Sequence, residues 1–176
     1  MMENQKLLVE FMSLLLDWKT RPAFTAVSQI QSDAGVSEFD VEIDPRAERW
    51  YSRHRNSDAW ARCDGALSAQ FSNTGELPPG SPPALSVRLG FPTSLPIWGR
   101  RNDYFRPVGA EEANGEGVML LRHPIDLSIF GSVTLDLDRG IAVRLTSPVH
   151  VWRLEDIRDV DHAKSQFGPS NRSSVK

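Results

Sequence analysis

Cys63 stands beside Asp64, a thiol next to a carboxylate in a chain with one cysteine. A reactive thiolate needs a neighbouring cation or helix N-terminus, and usually a histidine base. A cysteine at a strand end more often serves as a small buried hydrophobe. His54, His123, His150 and His162 show neither HxH nor HExxH spacing. His54 with Asp58 is a close His/carboxylate pair, and it reads as a surface pair. Asp136 and Asp138, two apart on one strand, could chelate Ca²⁺. No glycine-hinged loop of oxygen ligands surrounds them, so a solvated face is expected. These residues lead us to expect no catalytic group, no metal site, no cofactor and a non-enzymatic protein.

Arg46, Arg49, Arg53, Arg55 and Arg62 form the one basic cluster, interleaved with Trp50, Tyr51 and Trp60. Such a stretch suggests contact with an anionic headgroup or an acidic protein. Glu38, Glu42 and Glu48 balance it on paper, and the formal net charge of −3 argues against nucleic acid as a partner. The stretch GAEEANGEG (109–117) contains glycines but is acidic, so it would repel phosphate. GxGxxG, GxxxxGK[ST] and GxSxG are absent from the sequence. The remaining feature is aromatic: Trp50, Trp60, Phe91, Trp98 and Trp152 either fill a core or line an apolar pocket.

The elements that would position these residues follow from periodicity. In GSVTLDLDRGIAVRL (131–145), Val133, Leu135 and Leu137 alternate with polar residues, as do Ile141, Val143 and Leu145. Period-two alternation puts each triplet on one strand face, and Asp138-Arg139-Gly140 suits a tight hairpin loop. Something earlier in the chain must cover the dry face. Leu7, Phe11, Leu14, Leu15 and Trp18 recur at helical spacing, which predicts an amphipathic core helix ended by Pro22. Glu10 interrupts that apolar run and no small-residue cleavage site follows. It therefore reads neither as a signal peptide nor as a transmembrane segment.

Strands are predicted over 23–31, 38–43, 58–63 and 67–71, with 47–55 either a strand or one helical turn leading into a strand, an antiparallel meander with turn signals between them. NTGELPPGSPP (73–83) reads as a surface loop, and the prolines of 85–98 predict short helical or irregular pieces. Segments 104–108, 118–122 and 127–145 predict further strands around an acidic turn. Pro148 then bends the chain, Val149 and Val151 continue it, and 156–163 reads as a final helical turn. The length fits one domain, here 1–163, followed by a polar tail over 164–176 expected to be disordered. A single cysteine permits no intramolecular disulfide and is compatible with a cytoplasmic protein.

The order helix, meander, proline-broken middle and second antiparallel run resembles the LolA/LolB-like lipoprotein-carrier fold. The local match is VTLDLDRGIAVRL followed by VHVWRLEDI, which is similar to the pattern of actinobacterial LolA-like proteins. Asp136 or Asp138, Gly140, Arg144 and Asp156 fall on its positions. The resemblance implies a single α+β domain: a curved, unclosed antiparallel sheet wrapped around the N-terminal amphipathic helix and the central segment. It also implies an apolar hollow, which in that family holds acyl chains. The expected function is binding of a lipid-like or other hydrophobic small molecule by Trp50, Trp60, Phe91, Leu95, Trp98, Leu135 and Val143. Phe91–Trp98 is expected across the opening, with Val133, Leu135, Ile141 and Val143 lining the hollow. The alternative is a protein-interaction module that binds a protein partner through the curved sheet or the Arg/Trp-rich strand.

Overall fold

The computed structural model describes residues 2–65, 69–72, 75–160 and 165–166, with side chains from Asn4 onward. Among these residues, eleven strands form one antiparallel sheet that curves but does not close. In chain order they are β1 (Phe24–Ser32), β2 (Gly35–Asp44), β3 (Arg49–His54), β4 (Trp60–Asp64), β5 (Ala69–Phe71) and β6 (Gly75–Leu77). Then follow β7 (Arg106–Ala113), β8 (Glu116–Arg122), β9 (Phe130–Asp136), β10 (Ile141–Thr146) and β11 (Val151–Asp159). The spatial order is β6-β5-β4-β3-β2-β1-β11-β10-β9-β8-β7, two meanders running outward from a shared centre. The seam is the long antiparallel pairing of β1 with β11, which joins the first strand of the chain to the last.

Two layers cover the concave face. The helix α1 (Met2–Leu16) lies over β7, β8 and β10, with Phe11 and Leu15 buried beneath it. It packs so closely that a Cβ on Gly117 of β8 would come within 2.7 Å of the Phe11 ring. Near its start, the Asn4 Oδ1 accepts the Ala110 N–H at 2.9 Å, which caps a donor on the edge strand β7. Trp18 follows in a 3₁₀ turn (Trp18–Thr20) rather than in the helix itself. The centre of the face, β10, β11 and β1–β3, is covered by a 3₁₀ helix over Leu85–Gly90, and a second over Pro92–Ser94 packs on it and on α1, the short pieces that the prolines predict. The first of these lies directly on the sheet: a Cβ on Gly90 would be 2.8 Å from Ile43 Cδ1.

Four local expectations are corrected. The triplet Ile141, Val143 and Leu145 does not share one face, because a bulge between Ala142 and Arg144 shifts the β10–β9 register. Ala142 opposes Leu135 and Leu145 opposes Val133, all four buried, while Val143 is the extra residue at the bulge and is only partly buried. The segment expected as a final helical turn continues β11 to Asp159, since Asp156 takes a left-handed φ of 52° and a register break against β1 absorbs it. Within the expected proline-rich loop, Gly75–Leu77 pair with β5 as a short edge strand. The expected acidic turn shrinks to Asn114-Gly115, both at positive φ (55° and 80°), a two-residue hairpin loop of type I′ between β7 and β8. The Asp138-Arg139-Gly140 hairpin is present as a loop over 137–140, with Gly140 at φ +66° and its N–H donating to the Asp136 carbonyl.

Candidate functional site

Strand alternation sorts the first meander into two faces. Val41, Ile43, Trp50, Ser52, Ala61 and Cys63 point to the concave side, where all pack in or against the core. Glu38, Asp40, Glu42, Arg49, Tyr51, Arg53 and Arg62 take the convex side. There the basic cluster is largely answered by the chain itself. Arg49 donates to Asp44 at 2.6 Å, and Arg55 bonds Asp40 and lies near Glu38. Arg46 donates to the Thr20 carbonyl, and Arg62 donates to Gln70 while stacking over Trp60 at 5.7 Å. Glu42, only 5% exposed, accepts the Ser165 hydroxyl and the Gln166 N–H (2.8 Å). Apart from those two residues, the tail expected over 164–176 lies outside the described residues, as does its boundary at 163.

On the concave side, the half under α1 is filled. Over the first meander a hollow of about 420 Å³ remains between the sheet, the 3₁₀ turn at Trp18 and the proline-rich connection. Trp18, Trp50 and Phe91 give it aromatic walls, Cys63 and Ala69 lie on its sheet side, and Pro78, Gly80, Ser81 and Pro83 form a lip. Trp18 and Phe91 meet edge to face at 5.2 Å, and Trp50 braces on Phe71 at 6.2 Å in the same manner. Such pairs add about 0.5–1.5 kcal/mol beyond burial and hold the rings in place. Exposed Glu48 stands at the solvent side, held in a turn with φ 52° whose Ala47 N–H donates to Asp44. A smaller hollow of about 200 Å³ lies beside it along the meander, bordered by Phe39, Ser52, His54, Trp60, Ala61 and Phe71.

The expected binding residues therefore separate. Trp50 and Phe91 border the larger hollow, and Trp60 borders the smaller one. Leu95 and Leu135 are buried core residues; Trp98 is half-buried with its indole N–H on the Pro92 carbonyl (2.9 Å). Val143 sits at its bulge, and none of these four borders either hollow. The final hairpin thus borders neither of these hollows, and Phe91–Trp98 forms a wall and part of the core, not a flap across the opening. Trp18, Glu48 and the Pro78–Pro83 lip were not foreseen as site residues. The signal for them was a large ring at the end of an amphipathic helix and a proline run unable to bury itself.

Chemistry elsewhere is structural. Burial pushes the Cys63 thiol up, and the neighbouring Asp64 and Glu48 carboxylates add to this, which favours the unreactive protonated form. His54 Nδ1 accepts the Asn56 N–H, and His123 Nδ1 accepts the N–H groups of Ile125 and Asp126, so both rings cap turns. Asp136 bonds the Arg139 N–H and guanidinium in its own loop. Partial burial opposes the ionised form there, but these bonds outweigh it and hold the carboxyl below its ordinary range. Among the described residues, no three His, Cys, Asp or Glu side chains are grouped to hold a metal ion, and no helix is long and apolar enough to cross a membrane.

No family model and no curated protein sequence matches the chain. The fold is similar to those of solved structures at low sequence identity. An uncharacterised conserved protein from Thermus thermophilus superposes with a TM-score of 0.53 at 8% identity, over 86% of both chains. MucB in the MucA/MucB complex of Pseudomonas aeruginosa gives 0.54 at 8% identity, over 86% of this chain and 56% of that one. MucB in complex with MucA(peri) gives 0.51 at 10% identity. The chain spans a little over half the length of the MucB chains it matches.

Proposed function

We propose that the protein is a non-catalytic binding module that takes the apolar part of a small, lipid-like ligand into the hollow walled by Trp18, Trp50 and Phe91. The observation that carries this reading is a hollow of about 420 Å³ with three aromatic walls, on a concave face whose half under α1 is filled by side chains. Its size lies within the range of small-molecule sites, about 300–1,000 Å³. At about 25 cal/mol per Å² of apolar surface removed from water, a short alkyl chain gains several kcal/mol there without a charged contact. The resemblance of the last third to LolA-like proteins supports the same reading, since that fold carries acyl chains. The protonated Cys63 thiol and the turn-capping histidines support a role without catalysis.

The test is titration of the full chain with decanol, followed by tryptophan fluorescence, alongside native mass spectrometry before and after organic extraction. Saturable quenching is expected. The Ala69→Leu variant, which fills the hollow and leaves the rings in place, should bind at least about tenfold more weakly with an unchanged circular dichroism spectrum. A folded wild-type protein that gives no saturable signal overturns this reading. The protein-interaction module would then stand first, a reading supported by the likeness of the fold to MucB, which is seen in complex with MucA.

A further inference from the structure

The hollow has a charged corner that its apolar walls do not need. Lys19 does not border the cavity, yet its ammonium reaches two groups that do: it donates to the Glu48 carboxylate and lies 5.3 Å from the centre of the Trp18 ring. An aromatic face beside a carboxylate is the pairing that recognises a cation, because the ring quadrupole and the formal charge attract it together. The pair that now answers this corner is a weak one, since the Lys19 and Glu48 side chains are 57% and 54% exposed and water screens them.

Resting on the reading of the hollow as an apolar site, we infer that its ligand carries a cationic head group, a quaternary ammonium or protonated amine. The head group is held between the Trp18 ring and Glu48 in the place now taken by the Lys19 ammonium. The ligand's apolar chain then runs inward along Trp50 and Phe91. The field inside the hollow has the matching sign. At Cys63, which borders it, Asp64 and Glu48 both disfavour negative charge. The nearby guanidinium groups are turned elsewhere, Arg46 to the Thr20 carbonyl and Arg49 to Asp44. A carboxylate-headed ligand would face Glu48 at that corner, and the guanidinium groups bonded to the lining carbonyls, Arg88 to Pro83 and Arg100 to Thr93, already have acceptors.

The experiment compares decyltrimethylammonium, decanol and decanoate on the full chain by calorimetry, each below its micelle concentration. The three probes share one apolar chain and differ in charge. The expected order is cation, then alcohol, then anion, with about tenfold or more between the first and last. Glu48→Gln should weaken the cation at least about fivefold more than it weakens decanol. Lys19→Met should tighten the cation severalfold, because the competing ammonium is gone. Binding of all three probes with equal affinity, or a cation preference that neither variant alters, overturns the inference and leaves the apolar site standing. Binding of none of them overturns the apolar site as well.

Discussion

Gly140 closes the loop between β9 and β10 at φ +66°, a conformation that a β-branched side chain adopts only under strain. A Cβ there would also lie 2.5 Å from the guanidinium carbon of Arg21, the far end of a flexible side chain that can move aside, so the backbone conformation sets the cost. Replacement of Gly140 by Val should lower stability by about 1–3 kcal/mol, read as a fall in denaturation midpoint. An unchanged midpoint would mean that the loop has another conformation open to it. Both the turn and its glycine were legible in the sequence, since Asp-Arg-Gly between alternating runs states its own backbone requirement. The contact with Arg21 was not legible, because more than a hundred residues separate the two positions.

At the scale of elements, α1 shows how a pattern and a packing differ. Helical spacing singled out Phe11 and Leu15, and both are buried against the second meander. The same stripe included Trp18, which instead leaves the helix in a 3₁₀ turn and packs on Phe91 at 5.2 Å. Periodicity marks residues that must be covered, but it does not say by what. Phe11→Ala should cost roughly 3–5 kcal/mol, the usual loss when a core aromatic is removed and its space cannot collapse. Gly117 has no side chain with which to fill that space. A chemical denaturation curve matching the wild type would show that α1 is an accessory rather than a core element.

For the whole molecule, the decisive feature is that the two meanders share one seam. β1 and β11 pair along nearly their full lengths at the centre of the sheet, whereas β5 and β6 are three-residue strands at one edge. Opening the seam requires separating both halves of the core, while opening the edge exposes little apolar surface. Amide hydrogen exchange should therefore be slowest in β1, β2 and β11 and fastest in β5 and β6. The gap should be about two orders of magnitude or more in protection, equivalent to roughly 3 kcal/mol. Equal protection across the sheet would show a single cooperative unit instead. The lip of the hollow adjoins the weak edge, so ligand binding should raise protection there before anywhere else.

The sequence by itself determined the strands of the first meander, the amphipathic helix and the proline-broken middle. It also disfavoured a nucleophile, since a cysteine at a strand end is more often a small buried hydrophobe. These are local properties: side-chain alternation, turn chemistry and the place of a cysteine at a strand end are all written within a few residues. Tertiary structure alone decided that Val143 falls on a bulge, that β11 runs on through Asp156, and which aromatic rings face empty space. Trp50 and Leu135 both carry the signature of a concave-face residue. One borders a hollow and the other lies in a filled core, because α1 and the 3₁₀ segments cover the concave face to different degrees. A cavity is what remains after distant elements have packed, and no local pattern records how much of a face they leave uncovered.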